Sequence, residues 1–185
     1  YTPHNSFPCR PPSAQWTATA SGCVVVEQHS APPYVKSVTI GTIKDMGIKD
    51  ANNMGAAMAP AAYATIKTHL ENTGLTPDSF DLILTGDLGE VGTRILCDLF
   101  KKDGTDIEKV HNDCGLMLFD REKQDVHAGG SGCGCSASVL CGHILGRIKS
   151  GELKNVLFTA TGALMSPTLV QQGESIPGIA HAVHI

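Results

Sequence analysis

Chemistry in this chain is expected first at Gly129-Gly130-Ser131-Gly132-Cys133-Gly134-Cys135-Ser136, a glycine-dense stretch that carries two of the seven cysteines. It opens onto a helix-like run from Ala137 to Lys149. Glycine has no Cβ, so such a loop lets a ligand approach bare backbone. The helix that follows points its first N–H groups back at the loop, which favours an anion there. The same helix end favours a thiolate, so Cys133 and Cys135 are expected to be acidified. A structural reading stands beside this one: glycines also let a helix pack tightly on a strand, and small residues fill crowded space.

Other constellations are weaker. Cys133, Cys135, Cys141 and His143 suggest a metal, but the first pair is C-x-C where structural zinc sites use C-x₂₋₄-C. Cys141 and His143 are two apart on a helix and face different ways, so small core-filling residues are the better reading and no metal is assigned. A nucleophilic Cys133 or Cys135 needs a base, and His111, His127 and His143 are the sequence-near options. Gly130-x-Gly132-x-Gly134 lacks dinucleotide-fingerprint spacing, and no Gly-Lys-Ser/Thr is present for a phosphate loop. Asp87, between Gly86 and Leu88, reads either as a cap or turn residue or as a carboxylate in a cleft. Asp113-Cys114 carries the same two readings.

These residues need elements to position them. Pro3, Pro8, Pro11 and Pro12 make the lead up to Gln15 an extended connector, taken as residues 1–20, with the folded domain at 21–185. Cys23 to Glu27 is a β-branched run and reads as a strand, as does Tyr34 to Ile43. Met54, Met58, Ala61, Ala62, Ile66 and Leu70 recur at helical spacing, with Asn52 or Asn53 as cap, Pro60 as an expected kink and Gly74 as the stop. Phe80 to Thr85 is a short apolar strand that delivers Gly86-Asp87, and Val91 to Lys101 is a helix. Leu116 to Phe119 reads as a strand. Leu140, Ile144 and Ile148 mark the helix after the glycine loop, which Gly151 stops. Val156 to Ala160 is the last clear strand, ending in a Thr161-Gly162 turn. This alternation predicts an α/β domain with a mainly parallel sheet. Ligands of such sheets sit beyond the carboxyl ends of the strands, so the loops at Gly86-Asp87, the glycine stretch and Thr161-Gly162 are expected to share one cleft.

Composition narrows the function classes. A chain of 185 residues suggests one domain, or at most two small ones, and 42% apolar with 17% charged residues is globular composition. Net charge is −4 and no basic cluster exceeds Lys101-Lys102, which argues against nucleic-acid binding. No apolar run reaches the ~18 residues that read as a membrane span. Seven cysteines without scaffold-like spacing read as reduced thiols of an intracellular protein. The absence of an initiator Met suggests a piece of a longer protein or a processed chain.

Met54-Gly55-Ala56-Ala57-Met58-Ala59-Pro60-Ala61-Ala62, Thr73-Gly74-Leu75-Thr76 and Asp81-Leu82-Ile83 resemble the second half of the thiolase fold. Within that superfamily the chain resembles the stage V sporulation protein AD family of spore-forming bacteria. The resemblance rests on Asp45-Met46-Gly47-Ile48, Phe80 to Leu88, Asp113-Cys114-Gly115-Leu116, Ala128 to Ser136, Ala160 to Pro167, Gln171-Gln172 and Ile179-Ala180-His181, and runs from about Thr19 to His181.

The resemblance implies a C-terminal thiolase-like half. Active relatives place catalytic His, Asn or Cys side chains where this chain has Gly86-Asp87, Gly132-Cys133-Gly134 and Ala160-Thr161-Gly162, and the half with the family's nucleophile is absent. The resemblance therefore implies binding without catalysis. Sporulation relatives take up dipicolinic acid (pyridine-2,6-dicarboxylate) into the developing spore and are linked to its release on germination. They work with other stage V sporulation membrane proteins, peripheral to the spore inner membrane. By position, Asp87, Cys133, Gly134, Cys135, Thr161 and Gly162 would line the ligand pocket, with calcium arriving, if needed, together with the ligand. The alternative is an acyl-transferring thiolase-fold enzyme with a cysteine nucleophile. A lone half exposes the surface its missing N-terminal half would cover, so that half or self-association is expected.

Overall fold

The computed structural model describes residues 10–28 and 32–185. Pro3 and Pro8 of the expected connector, and Cys9, lie outside the described residues. In chain order the elements are β1 (Trp16–Thr17), β2 (Ser37–Thr39), α1 (Met54–Thr73), a short 3₁₀ turn (Pro77–Ser79), β3 (Leu82–Thr85), α2 (Gly89–Lys102), β4 (His111–Asp113), α3 (Cys114–Met117) and β5 (Gly130–Ser131). They continue with α4 (Cys133–Val139), a π-helical turn (Leu140–Ile144), α5 (Leu145–Lys149), β6 (Val156–Ala163), α6 (Pro167–Gln171) and β7 (Gly178–His184). The molecule is an α/β domain.

The main sheet runs β2-β7-β6-β3-β4. Its β6-β3-β4 side is parallel, while β7 lies antiparallel to both β6 and β2. A small parallel ladder joins β1 to β5. One face of the sheet packs on α1 and α2 through Met58, Ile66, Ile83, Leu96, Phe100 and Leu157. The other face packs on α4 and α5 through Leu84, Val139, Ile144, Ile148 and Phe158. Successive side chains of a strand point to opposite faces, so Ile83 and Leu84, or Leu157 and Phe158, feed the two cores in turn.

Local signals behave as expected in α1. The Asn53 side chain accepts from the N–H of Ala56, and Gly74 closes the helix in a left-handed conformation (φ 68°). Pro60 lies inside α1 without ending it. A proline in a helix interior removes one backbone bond, and the apolar face of α1 holds the helix across that gap.

Several sequence expectations give way. Cys23 to Glu27 forms no strand: Val25 is 87% and Val26 82% exposed, because among the described residues no neighbouring strand takes up their backbone. Leu116 to Phe119 is not a strand; the strand is β4, one turn earlier, and Asp113 caps α3 by accepting from the N–H of Gly115. β6 continues to Ala163, so Thr161-Gly162 lies within a strand and not in a turn. β7 was not expected at all. Its buried positions are Gly178, Ala180, Ala182 and His184, which leaves no apolar alternation to read. The described part of the expected connector turns at Pro12-Ser13 and is then held. Trp16 and Thr17 pair with Gly130 and Ser131, and Ala128 donates to the carbonyl of Ala14.

Candidate functional site

β3, β6 and the glycine stretch deliver their ends to one carboxylate. Asp87 is 4% exposed. Its Oδ1 accepts from Thr161 Oγ1 at 2.8 Å, and its Oδ2 accepts from the Gly132 N–H at 2.7 Å and Ser131 Oγ at 3.5 Å. The Asp87 N–H donates back to Thr161 Oγ1 at 3.0 Å. The loop after β3, the glycine stretch and the far part of β6 therefore meet at Asp87, although Thr161-Gly162 is strand and not loop. Gly86 is small because it must be: a Cβ there would lie 2.6 Å from Thr161 Oγ1 and 3.0 Å from Ser136 Oγ. Gln15 closes the arrangement from the chain's lead, its Nε2 donating to the carbonyls of Asp87 (2.9 Å) and Gly130 (2.7 Å).

A second carboxylate lies beneath the first. Asp113 is fully buried and accepts four bonds: Thr85 Oγ1 (2.7 Å) and the Leu88 N–H (2.8 Å) on Oδ2, and the N–H groups of Gly89 and Gly115 (both 2.9 Å) on Oδ1. Burial pushes its carboxyl up to about 6 while these donors pull it down. The Thr85 hydroxyl donates to Asp113, so it accepts from Nε2–H of His111 at 3.0 Å. Burial holds that imidazole down to about 4, hence neutral at pH 7. Asp113 thus anchors the start of α2 and the start of α3 to β3, and this holds Asp87 in place.

The glycine stretch has a different meaning from the one its composition suggests. A Cβ on Gly134 would lie 2.3 Å from the carbonyl oxygen of Ala20 and 3.0 Å from that of Ala18. The chain's own lead occupies that approach. Gly132 is the left-handed hinge (φ 94°) from which α4 starts. Cys133 is exposed at the first turn, and Cys135 is buried beside Leu84, Cys114 and Val139. Burial, together with the carboxylates of Asp113 and Asp87, pushes the Cys135 thiol up to about 12. The expectation of an acidified Cys135 is therefore overturned, because burial and two nearby carboxylates outweigh the helix end. Thr161 and Gly162 are half-buried, with open space over Gly162 apart from the Ile179 side chain.

The sequence-near bases are engaged elsewhere. His111 bonds to Thr85, Nε2 of His127 lies 3.1 Å from Asp125, and His143 lines a cavity of about 250 Å³ with Met117, Leu118, Ser138 and Val139. Among the described residues no three His, Cys, Asp or Glu side chains are grouped to hold a metal. Gln15, Thr85 and Ser131 are parts of the site that sequence reasoning passed over. Their signal is tertiary, since each acts on a segment far along the chain. One prediction arises here: a maleimide reagent should label Cys133 in the native protein and reach Cys114 and Cys135 only on unfolding. Mass mapping of the labelled peptides checks it.

Fold and site together define a mixed-sheet α/β domain, covered by helices on both faces, in which the loop after β3, the parallel strand β6 and a glycine hinge are tied by one buried aspartate. The chain belongs to the stage V sporulation protein AD (SpoVAD) family, whose profile matches residues 2–185. It is 48% identical over 174 residues to the stage V sporulation protein AD of Bacillus subtilis (strain 168), covering 94% of this chain and 51% of that protein. The chain thus spans about half the length of this relative. Among solved structures it is similar to 3-oxoacyl-[acyl-carrier-protein] synthase III from Aquifex aeolicus VF5, at 16% identity and a TM-score of 0.39, over 80% of this chain and 44% of that one.

Proposed function

We propose that this chain is a non-catalytic, thiolase-like half that supplies one wall of a binding site for dipicolinic acid and serves its movement into the developing spore and out on germination. The observation that carries the reading is the tie of Asp87 to Thr161, Ser131 and Gly132 in a member of this sporulation family. That tie fixes the glycine hinge and the first turn of α4, where Cys133 is exposed. Positively polarised N–H groups at a helix start suit a small planar dianion. Asp87 is the organiser and not a direct contact, because it is buried and each of its oxygens already holds a hydrogen bond to the scaffold. Calcium, preferring oxygen ligands, would arrive with the dicarboxylate. Cys135 and Gly134 back the wall from inside, Thr161 turns its hydroxyl in to Asp87, Gly162 lies beside it on β6, and Cys133 faces outward.

The second wall would come from the part of the relative's length that this chain does not span, or from a second copy of this chain. Val25, Val26, Ile40, Ile43, Met46 and Leu164 are exposed, more apolar surface than a lone chain ordinarily leaves to water. No helix among the described residues is long and apolar enough to cross a membrane. The proposed place is peripheral to the spore inner membrane, beside membrane-embedded stage V sporulation partners. The alternative, an acyl-transferring enzyme, rests on the exposure of Cys133 and requires a covalent adduct on that thiol.

Calorimetric titration of dipicolinic acid, with and without calcium, tests the proposal on this chain and on the longer protein. The expected result is saturable binding by the longer protein that weakens at least ~10-fold (about 1.4 kcal/mol) in Asp87→Ala. No binding by either form, or equal binding by Asp87→Ala, overturns it.

A further inference from the structure

Two histidines outside the candidate site share one buried cluster. His69 on α1 is 0% exposed and His184 on β7 is 7% exposed. Their rings meet edge to face at 6.0 Å, and Phe80 packs on both, at 5.0 Å from His184 and 6.2 Å from His69. Nδ1 of His69 shares a 2.8 Å hydrogen bond with Thr39 Oγ1 of β2. Among the described residues Nε2 of each ring is buried with no hydrogen-bond partner. The cluster thus joins α1, β7, β2 and the segment leading into β3 in one place. An imidazole there keeps a nitrogen dry at small cost while neutral, but an imidazolium must give every N–H a partner or water.

The charged groups around the cluster do not favour imidazolium. Lys36, just before β2, is the nearest cation acting on His184, and each ring is also a potential charge for the other. Asp81 at the start of β3 is already taken by the N–H groups of Lys154 and Asn155. Asp78 in the 3₁₀ turn and Glu71 on α1 are exposed. Lys67 on α1 pairs with Asp103 after α2, and His181 on β7 is exposed and accepts from the Gly41 N–H.

We propose that His69 and His184 form an acid-release latch, in which protonation of either ring unseats β7, and the β2 edge with it, from α1. The sign follows from the cluster. Burial holds both rings below the usual histidine range, with Lys36 and His69 adding to the effect on His184. In the unfolded chain each takes a proton near pH 6.5. Their share of stability is therefore present above about pH 6.5 and is lost as pH falls below it. Each ring lowers the folded-to-unfolded ratio by up to ~10-fold per pH unit in that window. His111 contributes with the same sign, but it lies on the β4 side and not at β7. β7 also pairs Ala180 with Thr161, so release reaches the partner of Asp87 whatever ligand the site holds.

Amide hydrogen exchange of the intact longer protein at pH 7.5 and 5.5 tests this, after correction for intrinsic exchange. The expected result is a loss of protection of ~10-fold or more in β2 and β7 at the lower pH, with β3 and β4 retained, and abolition of that difference in the His69→Phe/His184→Phe double variant. Uniform loss across the sheet, or the same loss in the double variant, overturns the latch. Imidazole NMR of the wild type gives an answer even if the variant does not fold: a ring that titrates near pH 6.5 with β7 still protected refutes it.

Discussion

Replacing Asp113 by alanine is expected to lower the stability of the fold by more than ~3 kcal/mol. Four donors converge on this carboxylate, from Thr85, Leu88, Gly89 and Gly115, and all of them are enclosed with it. Each buried donor left without an acceptor forfeits roughly 1–3 kcal/mol. Even with partial rescue by water, the sum exceeds ~3 kcal/mol, against a total stability of roughly 5–15 kcal/mol for a domain. The loss is also structural, since the starts of α2 and α3 both hang on Asp113. Asp113→Asn is expected to recover little. One amide oxygen still accepts, but the amide N–H₂ meets two donors on the other side. Urea unfolding followed by far-UV circular dichroism measures the change. A midpoint close to that of the wild type in Asp113→Ala would mean that these donors find other acceptors and that Asp113 is not the anchor described.

Gly55→Val is expected to have the second-largest effect, through the crossing of α1 and α2. A Cβ on Gly55 would lie 2.4 Å from the carbonyl oxygen of Leu88 and 2.8 Å from the nitrogen of Gly92, and one on Gly92 would lie 2.9 Å from Gly55 Cα and from its carbonyl oxygen. The two helices touch backbone to backbone. The obstructing atoms belong to main chain, so no rotamer change can relieve them. Overpacking of this kind typically costs about 1–3 kcal/mol, and the upper end applies because α2 cannot retreat without pulling Leu88 and Gly89 from Asp113. Gly142→Ala is the matched control. It adds a methyl in the π-helical turn where nothing lies within 4 Å, so its midpoint should match or exceed that of the wild type. Thermal melts of the two variants side by side make the comparison. Equal melting temperatures would contradict a close crossing.

Much of the fold was legible before any tertiary structure. α1, α2 and the helix after the glycine hinge announce themselves by apolar residues at helical spacing, by Asn53 as cap and by Gly74 and Gly151 as stops. β3 and the start of β6 show as short apolar runs because both of their faces are buried. Asp87 stood out as a polar residue at a strand end, and the family pattern was dense along nearly the whole chain. These are local properties: spacing, capping and backbone preference act within a few residues.

What the sequence left undetermined depends on what lies opposite. β7 is buried through Gly178, Ala180, Ala182 and His184, which carry no strand signal until α1 and β6 cover them. Val24, Val25 and Val26 have the composition of a strand, but no edge among the described residues pairs with them. Cys133 and Cys135 look equivalent in sequence, yet one faces solvent and the other sits in the core beside two carboxylates. Gly134 reads as an opening for a ligand, and it is an opening for Ala18 and Ala20. The sequence by itself determined the main helices, β3 and the start of β6, the α/β class and the family. Only the tertiary structure decided which side chains are buried, which of two carboxylates carries the scaffold and which glycine is already filled, because burial, close approach and hydrogen-bond satisfaction are set by residues distant in the chain.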